Sequence, residues 1–334
     1  MKKTITMRDI ADKLGISNVT VSNALSDKAG VSADLRRKIK ETAVEMGYKF
    51  STSPKTNGID RFKNIGVIIP ERFIGPYGSF YWSLYNAVIQ ELMIYNCYSI
   101  LEILKANDER NNDIPKIIAD GRVSGLIVIG QVSNQYAKML SGITIPLVFL
   151  DFYVKDVDVD CVLHDSYFGM YRLTDYLISC GHKDIGFVGT VNATSSIQDR
   201  YMGFLKALME NGIASNSKWQ IDDRDENGEY IDFVLPKPMP TAFICNCDEV
   251  AYNFIRFLKK KGYRVPEDIS VAGYDNYLIM NTSVPSITTV NVSIQELAEM
   301  TAQAINELLT DRNKRPHRRV VTGDVIIKES VKRI

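Results

Sequence analysis

Thr6-Met-Arg-Asp-Ile-Ala-Asp-Lys-Leu-Gly-Ile-Ser-Asn-Val-Thr-Val-Ser-Asn-Ala-Leu25 decides how the N-terminal part of the chain folds. Thr6 is a good N-cap, and Met7, Ile10, Ala11 and Leu14 follow it at helical spacing. Gly15 stops this helix at a turn that needs a residue tolerant of positive φ. Ser17 caps a second helix, Asn18 to Ala24, with Val21, Ala24 and Leu25 on its inner face. A third, Ala33 to Met46, carries the apolar stripe Leu35, Ile39, Ala43 and Met46 and ends at Gly47. Three short helices with a glycine turn between the first two follow the helix-turn-helix plan, whose second helix enters the major groove of double-stranded DNA. The side chains placed to meet base edges are Asn18, Val19, Thr20, Ser22 and Asn23. Asn pairs bidentately with adenine, and Val or Thr methyls fit a thymine methyl. The plainer alternative is a small helical bundle with an accidental turn.

The charge distribution favours the DNA reading. The 334 residues hold 40 Lys+Arg and 40 Asp+Glu, but residues 1–63 hold 13 against 7, leaving 27 against 33 for the rest. A basic head on an acidic body suits a polyanionic partner. The length suggests about two domains, or three with one small, and the 45% hydrophobic content excludes extended disorder. The longest apolar runs, such as Gly125 to Gly130, fall far short of the roughly 18 residues of a bilayer helix, so no membrane partner is expected. Lys2 and Lys3 are followed at once by Arg8, Asp9 and Asp12, which does not read as a secretory leader. Five cysteines (Cys97, Cys161, Cys180, Cys245, Cys247) form no CxxC pair and suit free thiols in a reduced cytoplasm. His164, His182 and His317 are far apart, and the phosphate-loop, dinucleotide, nucleophile-elbow and HExxH patterns are absent. No cofactor, metal or catalytic residue is expected. Asp222-Asp223 and Asp248-Glu249 read as solvated strand ends.

Residues 51–63 are polar and carry Pro54 and Asn57-Gly58, so they read as a hinge or linker. Beyond them, apolar runs (Ile65–Pro70, Ser99–Leu104, Gly125–Ile129, Leu147–Phe152, Ile185–Gly189, Trp219–Asp222, Thr241–Cys245, Ser270–Tyr274) alternate with helical stretches (Phe80–Asn96, Asp165–Cys180, Gln198–Asn211, Asp248–Gly262, Ile294–Thr310). Such alternation predicts parallel sheets covered on both faces. The expected fold is an all-α helix-turn-helix head plus two α/β parallel-sheet lobes. The expected division is a head at 1–50, a linker at 51–63, a first lobe of 64–158 with 291–322, and a second of 159–290 with 323–334. Asp156–Asp160 and Pro285–Val292 mark the first two crossings. Ligands of open parallel sheets sit at the carboxyl ends of the strands. That rule selects Phe80, Tyr81 and Trp82 as the opening of a helix, Asp151, Arg200 as the opening of another, Asp248, and Asp275. A carboxylate accepts vicinal hydroxyls, Arg donates in a fork, and rings stack on sugar faces, which suits a polyol. The alternatives are core packing for Phe80 and Trp82 and a helix N-cap for Asp248.

The head stretch, with Val31-Ser and Met46-Gly-Tyr48, resembles the lactose-repressor (LacI/GalR) family of bacterial transcription regulators. The likeness continues through Asn64-Ile-Gly-Val-Ile-Ile-Pro, Gly125-Leu-Ile-Val, Cys180-Gly-His-Lys-Asp-Ile-Gly-Phe-Val-Gly189, Arg200-Tyr-Met-Gly-Phe, Pro240-Thr-Ala-Phe-Ile-Cys-Asn-Cys-Asp-Glu-Val-Ala251, Gly262-Tyr-Arg-Val-Pro-Glu-Asp-Ile-Ser-Val-Ala-Gly-Tyr-Asp275 and Ile287-Thr-Thr-Val290. It implies a periplasmic-binding-protein-like, two-lobed body with a small-molecule effector between the lobes, and a homodimer on a pseudo-palindromic operator. It places Asn18, Val19 and Asn23 where the family reads bases. Asn23 stands where Arg is common, so the usual guanine contact is not expected. The implied DNA-contacting set is Thr6, Ser17, Asn18, Val19, Thr20, Ser22, Asn23 and Asn57. Asn57 stands where the family's minor-groove Leu is expected, with Ile59 or Phe50 as its possible substitute. The implied effector set is Phe80, Tyr81, Asp151, Arg200, Cys247, Asp248 and Asp275. Asp275 and Arg200 are its hydroxyl-pairing members, and Cys247 replaces a common Asn. Residues 228–236 depart from the family, which usually has a full helix there. A sugar is the expected effector and a purine-like corepressor the alternative. The rivals are a solute-binding receptor without a DNA role and a carbohydrate-processing enzyme.

Overall fold

The computed structural model describes residues 5–25, 30–46, 62–75, 79–225, 228–277, 285–311 and 314–334. Phe50 and residues 51–61 of the linker, with Pro54, Asn57, Gly58 and Ile59, lie outside them, whereas Lys63, taken as the end of the linker, already belongs to the first strand. The chain forms two units, Met1–Asp60 and Arg61–Ile334.

In the first unit, α1 (Met7–Leu14), α2 (Asn18–Leu25) and α3 (Ala33–Glu45) enclose a core of Ile10, Ala11, Val21, Ala24, Ile39 and Ala43. Thr6 and Asp9 close a capping box on α1: the Thr6 amide donates to Asp9 Oδ2 at 2.7 Å and the Asp9 amide to Thr6 Oγ1 at 3.4 Å. Gly15 ends α1 in the left-handed region at φ 64°. Ser17 Oγ accepts the Thr20 amide at 3.0 Å and so starts α2 one turn later.

In the second unit, β1 (Lys63–Pro70), β2 (Cys97–Leu104), β3 (Gly125–Ile129), β4 (Leu147–Leu150) and β5 (Asp160–His164) are built with α4 (Phe80–Ile94), α5 (Ala106–Asn111), α6 (Lys116–Ala119) and α7 (Asn134–Ser141). There follow α8 (Ser166–Ser179), β6 (Ile185–Val188), α9 (Ser195–Glu210), β7 (Gln220–Ile221), β8 (Ala242–Cys245), α10 (Asp248–Lys260), β9 (Ser270–Ala272), β10 (Thr289–Val290), α11 (Ile294–Thr310), β11 (Arg318–Val321) and β12 (Val325–Ile326). The first lobe is a parallel sheet in the order β11-β5-β4-β3-β1-β2, and the second one in the order β7-β6-β8-β9. β10 and β12 pair antiparallel beside β9, bridged to it at Ala272–Thr288. The inner strands β3, β4, β6 and β8 are apolar and buried throughout because both faces are covered, the condition for parallel pairing.

The first crossing between lobes falls later than the sequence suggested. Cys161, Val162 and the rest of β5 pair with β4, with Val148 opposite Asp160 and Leu150 opposite Val162. Residues 159–164 therefore belong to the first lobe, and the chain crosses at Asp165. The polar run Asp156–Asp160 is a turn, with Asp156 at φ 63°. Asp160 is buried rather than a linker residue because Arg319 on neighbouring β11 meets it at 2.6 Å. The other two crossings lie near 291–293 and 322–324, between β10 and α11 and between β11 and β12. As expected, no helix occupies residues 228–236, where the described backbone is irregular apart from a Tyr230–Arg224 bridge.

Candidate functional site

On α2 the inner positions Val21 and Ala24 are fully buried, which turns Val19, Ser22 and Asn23 outward. Asn18 is exposed and Val19 is 68% exposed, an apolar residue that the head's own core does not use. Ser22 and Asn23 are half-buried. The hydroxyls of Thr6, Ser17 and Thr20 are engaged in capping: Thr6 with Asp9, and Ser17 Oγ with Thr20 Oγ1 at 2.8 Å. An amide and a methyl side by side form the donor–acceptor and apolar pair that a base step in the major groove presents. Asn18→Ala is therefore expected to weaken binding at one base position by about 1–3 kcal/mol while leaving non-specific binding unchanged. Competition titration against single-base operator variants checks this, and equal loss on every sequence would remove Asn18 from base reading.

In the body, Asp151 stands one residue past β4 at φ 67° and Asp275 three past β9 at φ 99°. Left-handed backbone is costly for a non-glycine residue and is retained mainly where function or packing demands it. Arg200 reaches Asp275 from α9. It lies six residues into that helix, not at its start, because α9 begins at Ser195 after Thr194 caps it. Its Nη2 donates to Asp275 Oδ1 at 3.0 Å, its Nη1 to the Asn246 carbonyl at 2.6 Å, and its plane covers the Tyr274 ring at 4.0 Å. Tyr81 at the start of α4 donates its hydroxyl to Asp151 Oδ2 at 3.0 Å. Its ring packs on Phe73 and Phe80, and Phe80 meets the Tyr277 ring edge-on at 5.7 Å. Tyr277 hydrogen-bonds Ser83 at 2.8 Å, which closes the first lobe onto the second. Trp82 is 38% exposed and packs on Tyr85, outside this group.

The electrostatics follow from burial. Asp151 is pushed up to about 6 by burial and by the charge of Asp275, against the opposing pull of Arg200 and the Tyr81 hydrogen bond. Burial also raises Asp275, with Arg200 opposing it. Asp248 is raised by burial and then by Asp275. Asp248 does not cap its helix. Cys247 holds the cap position without a side-chain bond, and Asp248 is the first helical residue, with its Oδ2 accepting the Tyr277 amide at 3.0 Å. It lies 2% exposed and its Oδ1 has no partner among the described residues. A Cβ on Gly273 would meet Oδ1 at 2.1 Å, so this carboxyl faces the 273–277 backbone. Burial raises the Cys247 thiol, so it stays protonated.

Asp222-Asp223 needs correction. Asp223 is fully buried rather than a solvated strand end. Burial works against its charge, but Arg224 at 2.7 Å, Asn246 Nδ2 at 2.9 Å and the Thr190 amide at 2.8 Å outweigh it and hold the carboxyl low. Through Asn246 this cluster is joined to Arg200. The sequence reading missed Asp223, Arg224, Asn246, Tyr274 and Tyr277; the one available signal was an Asp-Arg pair directly after a strand. Asp248-Glu249 divides likewise, with Asp248 buried and Glu249 exposed. Among the described residues no group of His, Cys, Asp and Glu could hold a metal ion, and no helix is long and apolar enough to cross a membrane.

A three-helix head on the helix-turn-helix plan, followed by two parallel-sheet lobes that bury a cluster of charges, defines a DNA-binding regulator with a ligand-binding body. Residues 6–51 match the bacterial regulatory proteins of the lacI family, and residues 174–331 match the periplasmic binding protein-like domain. The head thus carries the lacI-type domain and the body the periplasmic-binding-protein-like domain, and the chain is a transcriptional regulator with an effector-binding body. It is 27% identical to the HTH-type transcriptional repressor PurR of Glaesserella parasuis over 98% of this chain and 99% of that one. It is 25% identical to the probable HTH-type transcriptional repressor ExuR of Bacillus subtilis over 99% of both. The lac repressor dimer bound to operator and the anti-inducer ONPF superposes with a TM-score of 0.71 at 20% identity, covering 99% of this chain and 100% of that one. The complex of the transcriptional regulator CelR with cellobiose gives 0.69 at 20% identity, covering 98% and 99%. Both similar curated proteins are named as repressors, and regulators of this type bind operator DNA and a small-molecule effector.

Proposed function

We propose that the chain is a cytoplasmic repressor that reads a pseudo-palindromic operator as a homodimer, and that a hydroxyl-rich small molecule, a sugar, binds against Asp151, Arg200 and Asp275. The observation that carries the ligand class is the excess of acceptors over open donors. The Arg200 fork is engaged by Asp275 and by the Asn246 carbonyl, and the Asn246 amide by Asp223. Among the described residues of the cleft, one oxygen on each of Asp151, Asp248 and Asp275 is left without a protein partner against a single open donor, Arg200 Nε, and such oxygens accept ligand hydroxyls. Phe80 and Tyr81 supply the apolar wall. Asn18, Val19 and Asn23 read bases, while Thr6, Ser17 and Thr20 set the helices that present them. The ligand changes the angle between the lobes, and through it the operator affinity, by a coupling of about 1–3 kcal/mol. A purine-like corepressor is the second reading, favoured by the Phe73, Phe80, Tyr81 and Tyr277 rings and by relatives named PurR.

The test is to recover host DNA fragments bound by the purified protein at moderate salt, sequence them, and repeat with sugars and purines added. Enrichment of one inverted repeat that a sugar abolishes supports the reading. Enrichment that needs a purine replaces the sugar with the corepressor, and featureless recovery under every condition overturns the operator.

Asp151 gives the ligand a pH signature. Its folded value, about 6, lies above its ordinary 3.8, so the contribution of this group to stability is fully present below 3.8 and lost as pH rises through 6. Hydroxyl donors prefer the ionised form, so ligand affinity runs the other way and weakens as pH falls through 6. Titration calorimetry is expected to give binding about tenfold weaker near pH 5 than near pH 7.5, and Asp151→Asn to flatten the profile.

A further inference from the structure

Beside the three crossings, on the open side of edge strand β11, a cavity of about 250 Å³ lies between the lobes. The first lobe lines it with Tyr153, Arg318 and Val320 and the second with Ser166, Tyr167 and Asp199. A small void of about 10 Å³, one water's worth, reaches from Asp151 past Ser195 and Ser196 and shares Tyr153, Ser166 and Asp199 with it. The cavity therefore shares a wall with a water-sized void that reaches Asp151, the nearest of the three proposed effector residues. Its walls have the chemistry of a ring site. Arg318 covers the Tyr153 ring at 4.2 Å, and Tyr153 donates its hydroxyl to Asp199 Oδ1 at 2.9 Å. Arg318 stands 3.8 Å from Asp199, too loose for a settled ion pair, so the fork has capacity for a ligand. Ser166, the first residue of α8, is 3% exposed, and its buried Oγ has no partner among the described residues although it borders both voids. A buried hydroxyl without a partner is costly unless something comes to meet it.

We propose that this cavity is a second subsite of the effector, so that the effector is an extended, two-ring polyol: one ring against Asp151, Arg200 and Asp275, the next against Tyr153, Arg318 and Ser166. The volume is just below that of pockets for drug-sized ligands and suits one further sugar ring. Because Tyr153 and Arg318 come from one lobe and Ser166 and Asp199 from the other, a ring seated here bridges the lobes next to their crossings. The proposal rests on the polyol reading of the cleft, and its test separates the two.

Titration calorimetry on the full chain compares each monosaccharide with its own disaccharide: glucose with cellobiose and maltose, galactose with lactose and melibiose, xylose with xylobiose. One disaccharide is expected to bind at least tenfold more tightly than its monosaccharide. Val320→Trp fills the cavity from a position 43% exposed, where the larger ring is tolerated. It is expected to reduce that ratio to within twofold while monosaccharide affinity holds. Arg318→Ala, also on the exposed edge, is expected to do the same by removing a donor instead of adding bulk. Asp275→Ala is expected to weaken both sugar sizes. Monosaccharide binding that no disaccharide improves, or a ratio indifferent to both cavity variants, overturns the second subsite and leaves the polyol cleft standing. If no sugar of either size binds, the polyol reading falls and the subsite with it.

Discussion

Asp275→Ala is expected to abolish the effector response, leave operator affinity unchanged, and lower the melting temperature of the body by roughly 10 °C. The size follows from what remains. Arg200 has a side chain only 7% exposed, its Nε already lacks a partner among the described residues, and its remaining fork bond goes to a backbone carbonyl. Removing one member of a buried pair costs about 3–5 kcal/mol, because the other stays buried and charged. Each kcal/mol lowers the melting temperature of a domain of this size class by about 2–4 °C. The left-handed backbone at Asp275 offsets part of the loss little, since Ala gains nothing there either. Two further variants separate stability from binding. Asp275→Asn keeps one acceptor and is expected to melt closer to the parent, still with a weakened response. The double variant Arg200→Met with Asp275→Leu removes both charges and is expected to regain most of the stability and none of the response. Calorimetric melting with effector titration reads both quantities, and a single variant that responds normally takes Asp275 out of the site.

The legible parts of this molecule were those that local rules decide. Thr6, Gly15 and Ser17 announce helix ends through capping chemistry that involves only three or four neighbouring residues, so the head was readable almost to the residue. Gly125–Ile129 and Ile294–Thr310 are long, strongly patterned elements and fell where expected. Arg318–Val321 did not, because Arg318 and Arg319 break its apolar run, and it is a strand only because β5 lies beside it with Arg319 bonded to the buried Asp160. The position of the first crossing failed for the same reason: Cys161-Val-Leu-His164 is too short to separate from the turn before it until its partner strand is known. In the cleft, the strand-end rule selected Asp151 and Asp275, which do converge on Arg200 and Tyr81. It could not select Asp223, Asn246 and Tyr274, whose roles arise from contacts with residues 23 to 74 positions away. Charge patterning misled at Asp222-Asp223 because sequence alone does not distinguish a solvated carboxylate from one buried against the next residue's guanidinium.

Gly323→Ala is expected to uncouple the effector from the operator. The three crossings are hydrogen-bonded to one another: the Asp165 amide donates to the Val321 carbonyl at 2.8 Å, and the Asn291 amide to the Asp324 carbonyl at 2.8 Å. His164, at the end of β5, holds the Tyr274 hydroxyl at 2.9 Å, and burial drives its own value down to about 3, so it is neutral across the working range. Tyr274 in turn carries Arg200 on its ring, so the crossings and the effector residues share one packed group. At Gly323 a Cβ would lie 1.8 Å from the Asn291 carbonyl oxygen and 2.8 Å from His164 Nε2. Neither neighbour is the free end of a flexible chain, so one crossing must move away from another. Overpacking of this kind costs about 1–3 kcal/mol and sometimes more. Here it acts on the crossings that join the lobes, so under the proposed mechanism it is expected to alter the lobe angle as well as the stability. The measurement is effector affinity with and without an operator fragment. The parent is expected to show a ratio in the range of about 5–150, and Gly323→Ala a ratio near one with effector still bound. Gly142→Ala is the control, since its added Cβ meets only the Met139 carbonyl at 3.4 Å, far from the crossings. If Gly323→Ala keeps the parent ratio, the crossings have yielded without changing the lobe angle, and coupling must run through the lobe faces instead.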